Sequence, residues 1–232
     1  MKDAGTVFDE YATSYEETLS SALAISGESR GYFSQKRVEW LQRCLQEMNE
    51  APRMVLDFGC GDGATTPVLL KTTGAAAALG LDVSPKSVEL ARKQYGNAVV
   101  HYELLLSFKP DEQIDVAYCN GVFHHIPPQQ RAAAIRLIHN ALRPGGLFAF
   151  WENNPWNPAT RYVMSRCAFD RDSQMLSPPE ARRLLRAGGF EMVRTDFRFI
   201  FPHVLRGLRS VEDLLFRLPL GAQYQVLCRR VA

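Results

Sequence analysis

The chain lacks any apolar run approaching the roughly 20 residues that span a bilayer, so no transmembrane helix is expected. It lacks a C-x-x-C pair, and its five cysteines are odd in number. A disulfide framework or a zinc site is therefore not expected; no metal is assigned, and a reducing compartment is. It lacks a strong charge of one sign. A formal charge of +2 offers no general attraction to nucleic acid, and the clusters Arg182, Arg183, Arg186 and Arg229, Arg230 read as solvated surface. It also lacks the apolar stretch of a secretory signal, because MKDAGTVFDEYATSYEE places acids there; a cytoplasmic protein is expected. No internal repeat or low-complexity tract occurs.

What is present is ordinary globular composition, 46% hydrophobic and 22% charged, over 232 residues. Apolar runs at 53–58, 77–82, 98–103, 114–119 and 146–152 read as strands covered on both faces. Helical patterns alternate with them. Ser84-Pro85 is a cap followed by a first-turn proline. Residues 127–142 place Ala134, Ile135, Ile138 and Leu142 on one face, and Arg143-Pro144-Gly145-Gly146 breaks that helix. Ser177-Pro178-Pro179-Glu180 is a capping box. This alternation predicts an α/β fold with a doubly wound, mostly parallel sheet and ligands beyond the carboxyl ends of its strands. Residues 1–50 look helical, and β-like runs at about 190–201 and 222–231 close the chain. Between them, 203–218 is amphipathic. Core packing is its first reading, with a cover over an apolar acceptor or a homodimer face as alternatives; the mixed charges of its polar face argue against a membrane surface.

The first strand runs into Gly59-Cys60-Gly61-Asp62-Gly63. Glycines there permit a tight turn and let a ligand approach the backbone. Dinucleotide-binding enzymes share a G-x-G turn, so an NAD-dependent oxidoreductase is a rival. Asp57 argues against it, since a carboxylate would repel a pyrophosphate but suits a cationic amino-acid group. The spacing also departs, being G-x-G-x-G. Asp82 ends the next strand, where a carboxylate can accept from both hydroxyls of a ribose.

Together these runs resemble the class I, Rossmann-like S-adenosylmethionine-dependent methyltransferases of the small-molecule type. Val55 to Gly63 resembles their first motif, and Gly80-Leu81-Asp82-Val83-Ser84 their second-strand motif. Ile114 to Ile126 resembles the fourth-strand motif, and Leu142 to Leu147 the turn before the fifth strand. The resemblance covers 53–152 and implies a seven-stranded sheet ending in an antiparallel hairpin, S-adenosyl-L-methionine as cofactor, and a single domain over 1–232. In it, 1–50 would form a helical lid, 51–152 the cofactor-binding core, and 153–232 the acceptor side with the hairpin. It implies that Asp57, Gly59, Cys60 and Gly61 meet the methionine end of the cofactor and that Asp82 binds ribose. Val83, Glu103 and Leu104 would meet adenine, with Glu103 twelve residues before Asp115 in place of the commoner Asp. Asn120 and Gly121 would line the sulfonium. Tyr11 and Tyr15, one turn apart, would close over the cofactor, or staple onto the core.

Methyl transfer needs alignment, and a base only for a protonated acceptor. Candidates for the base are His124, His125 and Glu152, the histidines having a structural role as the competing reading. Trp151 and Trp156 are core or substrate platform. The acceptor is expected to be a small molecule methylated on oxygen or nitrogen. Nucleic acid is the poorer guess, because Asn154-Pro155-Trp156-Asn157 follows the fifth strand rather than the fourth. A cofactor-binding protein without turnover is the remaining alternative.

Overall fold

The buried stripe Ser34, Arg37, Val38, Leu41, Cys44 and Leu45 recurs at helical spacing and lays helix α1 (Arg30–Glu47) against a sheet. The Ser29 hydroxyl caps it, accepting from the Tyr32 N–H at 3.1 Å. The structure, a computed structural model, describes residues 26–167 and 173–231. After α1 the chain alternates as β1 (Met54–Phe58), α2 (Thr66–Thr73), β2 (Ala77–Asp82), α3 (Pro85–Tyr95), β3 (Val100–Leu104), β4 (Ile114–Asn120), α4 (Pro128–Ala141) and β5 (Leu142–Asn153). There follow α5 (Pro158–Arg166), α6 (Pro178–Ala187), β6 (Phe190–Arg198), a 3-10 segment (His203–Val211), α7 (Glu212–Leu215) and β7 (Gln223–Arg230).

The seven strands form one sheet in the order β3-β2-β1-β4-β5-β7-β6. Strands β1 to β5 run parallel, and β7 pairs antiparallel with both β5 and β6. The sheet is thus seven-stranded and mostly parallel, with β7 inside it and β6 at the edge. Both faces of the central strands are covered. On one, Ile135, Ile138, Ala181 and Leu185 pack with Leu56, Phe148 and Phe150. On the other, Val38, Leu41 and Leu69 pack with Val55, Val116 and Trp151. This double coverage is why the strands read as unbroken apolar runs.

Helix starts follow the local chemistry. The Ser84 hydroxyl accepts from the Ser87 N–H at 3.1 Å, with Pro85 in the first turn. Ser177 and Glu180 form the reciprocal capping box.

Two surface readings are corrected. Core packing fails for most of 203–218: no residue of the 3-10 segment is buried, and Val204 and Leu214 are more than four-fifths exposed, while Phe216 packs against the core beside Trp40. The stretch buries an acid instead. Glu212 is 5% exposed, and its Oε1 accepts from the N–H groups of Ile200 and Phe201 at 3.1 and 2.9 Å. Those donors would otherwise be orphaned as the chain leaves β6. Nor are Arg229 and Arg230 freely solvated. Arg229 Nη1 donates to the Gly145 carbonyl at 2.7 Å, and Arg230 bonds the Leu142 carbonyl and Glu112, strapping β7 to the start of β5.

Candidate active site

Connections from β1 and β4 leave the sheet in opposite directions, so a crevice opens beyond their carboxyl ends. The glycine loop enters it directly from β1. Gly59 and Cys60 donate their N–H groups to the Leu81 carbonyl at 2.8 and 3.0 Å, tying the loop to the end of β2. Gly59 has φ +76°, and a Cβ there would lie 2.3 Å from Val122, so only glycine lets the loops after β1 and β4 meet. Gly61 has φ +55° and nothing within 4 Å of a built Cβ, leaving bare backbone facing open space.

Asp82 stands opposite this loop. Its Oδ2 accepts from the Gly61 N–H and its Oδ1 from the Ser84 N–H, both at 2.9 Å. A carboxylate has acceptor capacity beyond these bonds, which suits a vicinal diol. Burial holds its carboxyl above the ordinary range, against these backbone bonds. Asp57, 3% exposed, accepts from the Thr66 hydroxyl at 2.8 Å. Burial pushes its carboxyl up to about 7, opposed by the Thr66 bond and helped by repulsion from Asp82 and Asp62. Arg30, at the start of α1, clamps Asp62 with Nη2 2.7 Å from Oδ1.

Of the other expected cofactor residues that the structure describes, all but Glu103 fall around this crevice. Val83 is half-buried beside Asp82, and Leu104 pairs in register with Asp82. Cys60 is buried, which drives its thiol well above the ordinary range. Asn120 ends β4, where its Oδ1 is buried with no hydrogen-bond partner among the described residues. Gly121 follows with φ +65°, its N–H donating to the Trp151 carbonyl at 3.0 Å. Glu103, in register with Leu81, instead lines a shallow groove with Arg92 and His101 along the outer side of β3. Tyr11 and Tyr15 lie outside the described residues.

The candidate base residues form one buried unit. Glu152 is 1% exposed. Its Oε1 accepts from the N–H groups of Phe123 and His124 at 2.8 and 3.3 Å, and its Oε2 lies 2.6 Å from His124 Nδ1. Glu152 therefore holds the turn after β4 and orients the His124 ring. The His125 ring, half-buried, lies 4.1 Å from that of His124. Arg131 completes the support, donating from Nε to the carbonyls of Phe123 and Ile126 at 3.0 and 2.9 Å. Of the two tryptophans, Trp151 is core, and Trp156 is half-exposed, stacked on Phe197 at 6.5 Å.

One cluster escaped the sequence reading. Arg37, 6% exposed, reaches from α1 to donate from Nε to the Tyr118 hydroxyl at 3.0 Å and from Nη1 to Gln223 Oε1 at 2.9 Å. Its Nη2 lies 3.4 Å from the Ser34 hydroxyl. The signal was available: Arg37 is one turn before Leu41, a charge on an apolar stripe.

Against known proteins, residues 55–146 match the family described as "Methyltransferase domain". The chain is 32% identical over 181 residues to an uncharacterised methyltransferase of Synechocystis, covering 75% of this chain and 80% of that protein. It is 30% identical over 137 residues to a trans-aconitate 2-methyltransferase of Methylobacterium nodulans, covering 59% of this chain and 50% of that protein. The chain thus spans only about half the length of that relative. A solved S-adenosylmethionine-dependent methyltransferase from Mesorhizobium loti shares the fold, with TM-score 0.59, 23% identity, and coverage of 83% of this chain and 98% of that one.

Proposed function

The chain belongs to the class I S-adenosylmethionine-dependent methyltransferases, and from that premise we propose that it methylates a small-molecule acid on a carboxylate oxygen. The observation that carries the cofactor reading is the glycine loop facing Asp82: open backbone at Gly61 opposite a buried carboxylate held by backbone N–H groups. In this reading Asp82 takes the ribose hydroxyls and Val83 and Leu104 border the adenine. Asp57, Gly59, Cys60 and Gly61 meet the methionine end. Asn120 offers its unpartnered Oδ1 beside Gly121 near the sulfonium. When bound, the cofactor supplies an electrophilic methyl group.

The acid acceptor rests on two supports. Relatives of the chain are named trans-aconitate 2-methyltransferases. Glu152 is also held as a structural group rather than a free base: its carboxylate is taken up by three backbone N–H groups and the His124 ring. A carboxylate acceptor is already ionised near neutral pH, so a carbon–oxygen bond can form as the carbon–sulfur bond breaks with no proton to remove. The chain's part is then to exclude water and align the oxygen, with Glu152 positioning the turn at 121–125.

Calorimetric titration of S-adenosylmethionine, S-adenosylhomocysteine and NADH into wild type and Asp82→Ala tests the cofactor reading. Binding of the first two is expected, weakened about 10- to 100-fold in the variant by loss of charged hydrogen bonds. Binding of NADH in place of both would overturn it.

A further inference from the structure

Arg37 presents an electrostatic imbalance. A buried guanidinium cannot shed its proton, and a buried charge is stable only when a counter-charge or full hydrogen bonding offsets its lost hydration. Its recorded partners, Tyr118, Gln223 and Ser34, are all neutral, and no carboxylate pairs with it among the described residues. Three of its five N–H groups are engaged, which leaves one on each terminal nitrogen. The Tyr118 hydroxyl accepts from Arg37 and keeps its own proton, since burial pushes the phenol up to about 12 despite the adjacent cation. The cluster is thus rich in donors; Asp57, in register with Tyr118 on β1, adds its repulsion to the phenol but bonds Thr66 and forms no ion pair with Arg37 among the described residues.

Its place in the fold is specific. Tyr118 lies on β4 two residues before Asn120, and Gln223 opens β7 in register with Asn153 at the end of β5. Gln223 Nε2 donates to Asn153 Oδ1 at 2.9 Å. Arg37 therefore bridges β4 to β7 across the end of β5, on the side of β4 away from the ribose acid on β2. Gln223 and Asn153 are half-buried, so the donors lie just beneath the carboxyl edge of the sheet.

We infer that Arg37, with Tyr118, is a carboxylate-recognition site on the acceptor side of the crevice. It takes a carboxylate of the acid that is not itself methylated, and so selects polyacids over neutral molecules. The inference rests on the acid-acceptor reading above and adds the residue that recognises the acid. Two N–H groups of a guanidinium match the two oxygens of a carboxylate, which a neutral ester cannot replace.

The test uses protein saturated with S-adenosylhomocysteine, titrated with trans-aconitate, succinate and the trimethyl ester of trans-aconitate. Wild type is expected to bind an acid and not the ester. Arg37→Gln should weaken the acid about 10- to 100-fold, with Arg37→Lys intermediate, while S-adenosylhomocysteine binds all three proteins alike. Equal acid affinity in Arg37→Gln overturns the inference, as does a wild type that binds S-adenosylhomocysteine but no acid. A parallel loss of S-adenosylhomocysteine assigns Arg37 to the cofactor's own carboxylate and overturns the acceptor assignment. Failure of wild type to bind S-adenosylhomocysteine sinks the methyltransferase reading itself. Should Arg37→Gln not fold, melting of the loaded wild type decides: protection by acid alone supports the site, and equal protection by the ester overturns it.

Discussion

Asp57 shows how one carboxylate sets stability and binding against each other. Its folded pKa is about 7 against an ordinary 3.8, so the folded protein holds the proton that the unfolded chain releases. Below about pH 4 both states are protonated and nothing is lost; between about pH 4 and 7 only the unfolded chain releases its proton and stability falls, levelling off once the folded carboxyl also ionises above 7. Asp57→Asn removes that loss and can still accept from Thr66. We predict that melts of the ligand-free protein find the variant more stable at pH 8, by at most about 4 kcal/mol, with the gain fading toward pH 4. Calorimetry should show the opposite for S-adenosylhomocysteine, weaker in the variant. An unchanged pH profile would remove Asp57 as the source. At this scale the sequence was informative where chemistry and strand ends coincide. Asp57, Asp82 and the glycines were legible because each follows or ends an apolar run. Arg37 offered one sign, a charge on an apolar stripe, but its partners Tyr118 and Gln223 lie 81 and 186 residues away in the chain and were not legible.

The turn after β4 is an element held by a side chain from β5, and that determines how Glu152 reads. Glu152→Ala would leave the N–H groups of Phe123 and His124 and the His124 ring without their acceptor in a site 1% exposed. A loss of about 3–5 kcal/mol in unfolding free energy is expected, and Glu152→Gln should lose less because its amide oxygen still accepts. A general base would behave differently, with turnover abolished in Glu152→Gln and the denaturation midpoint untouched. The sequence placed Glu152 at the end of a strand but could not show which way it faced. The same limit affected 203–218, where the amphipathic pattern is real but the backbone is a 3-10 run with non-helical geometry at Leu205. A stripe at α-helical spacing does not align on such a turn, so most of its apolar side chains stay outside while Glu212 goes in and Phe216 packs on Trp40.

Taken whole, the molecule depends on a strand that the most recognisable part of its sequence does not contain. The motif-bearing region supplies the five parallel strands, and their existence was legible from apolar runs alone. The insertion of β7 between β5 and β6 was not, because two terminal β runs separated by 24 residues carry no local sign of their order. Tyr224, Val226, Leu227 and Cys228 on β7 are fully buried and contribute to the cores on both faces of the sheet. Burying a large apolar side chain is worth about 1.5–3 kcal/mol, so removing these four forfeits about 6–12 kcal/mol, comparable to the roughly 5–15 kcal/mol by which a typical domain is stable, and the exposed edge of β5 adds to the loss. A fragment ending at Ala187 should therefore show no cooperative unfolding by circular dichroism and should elute as aggregate. If it instead melted sharply and bound S-adenosylhomocysteine, the five parallel strands would be a folding unit in their own right, and the β6–β7 pair would serve the acceptor side alone.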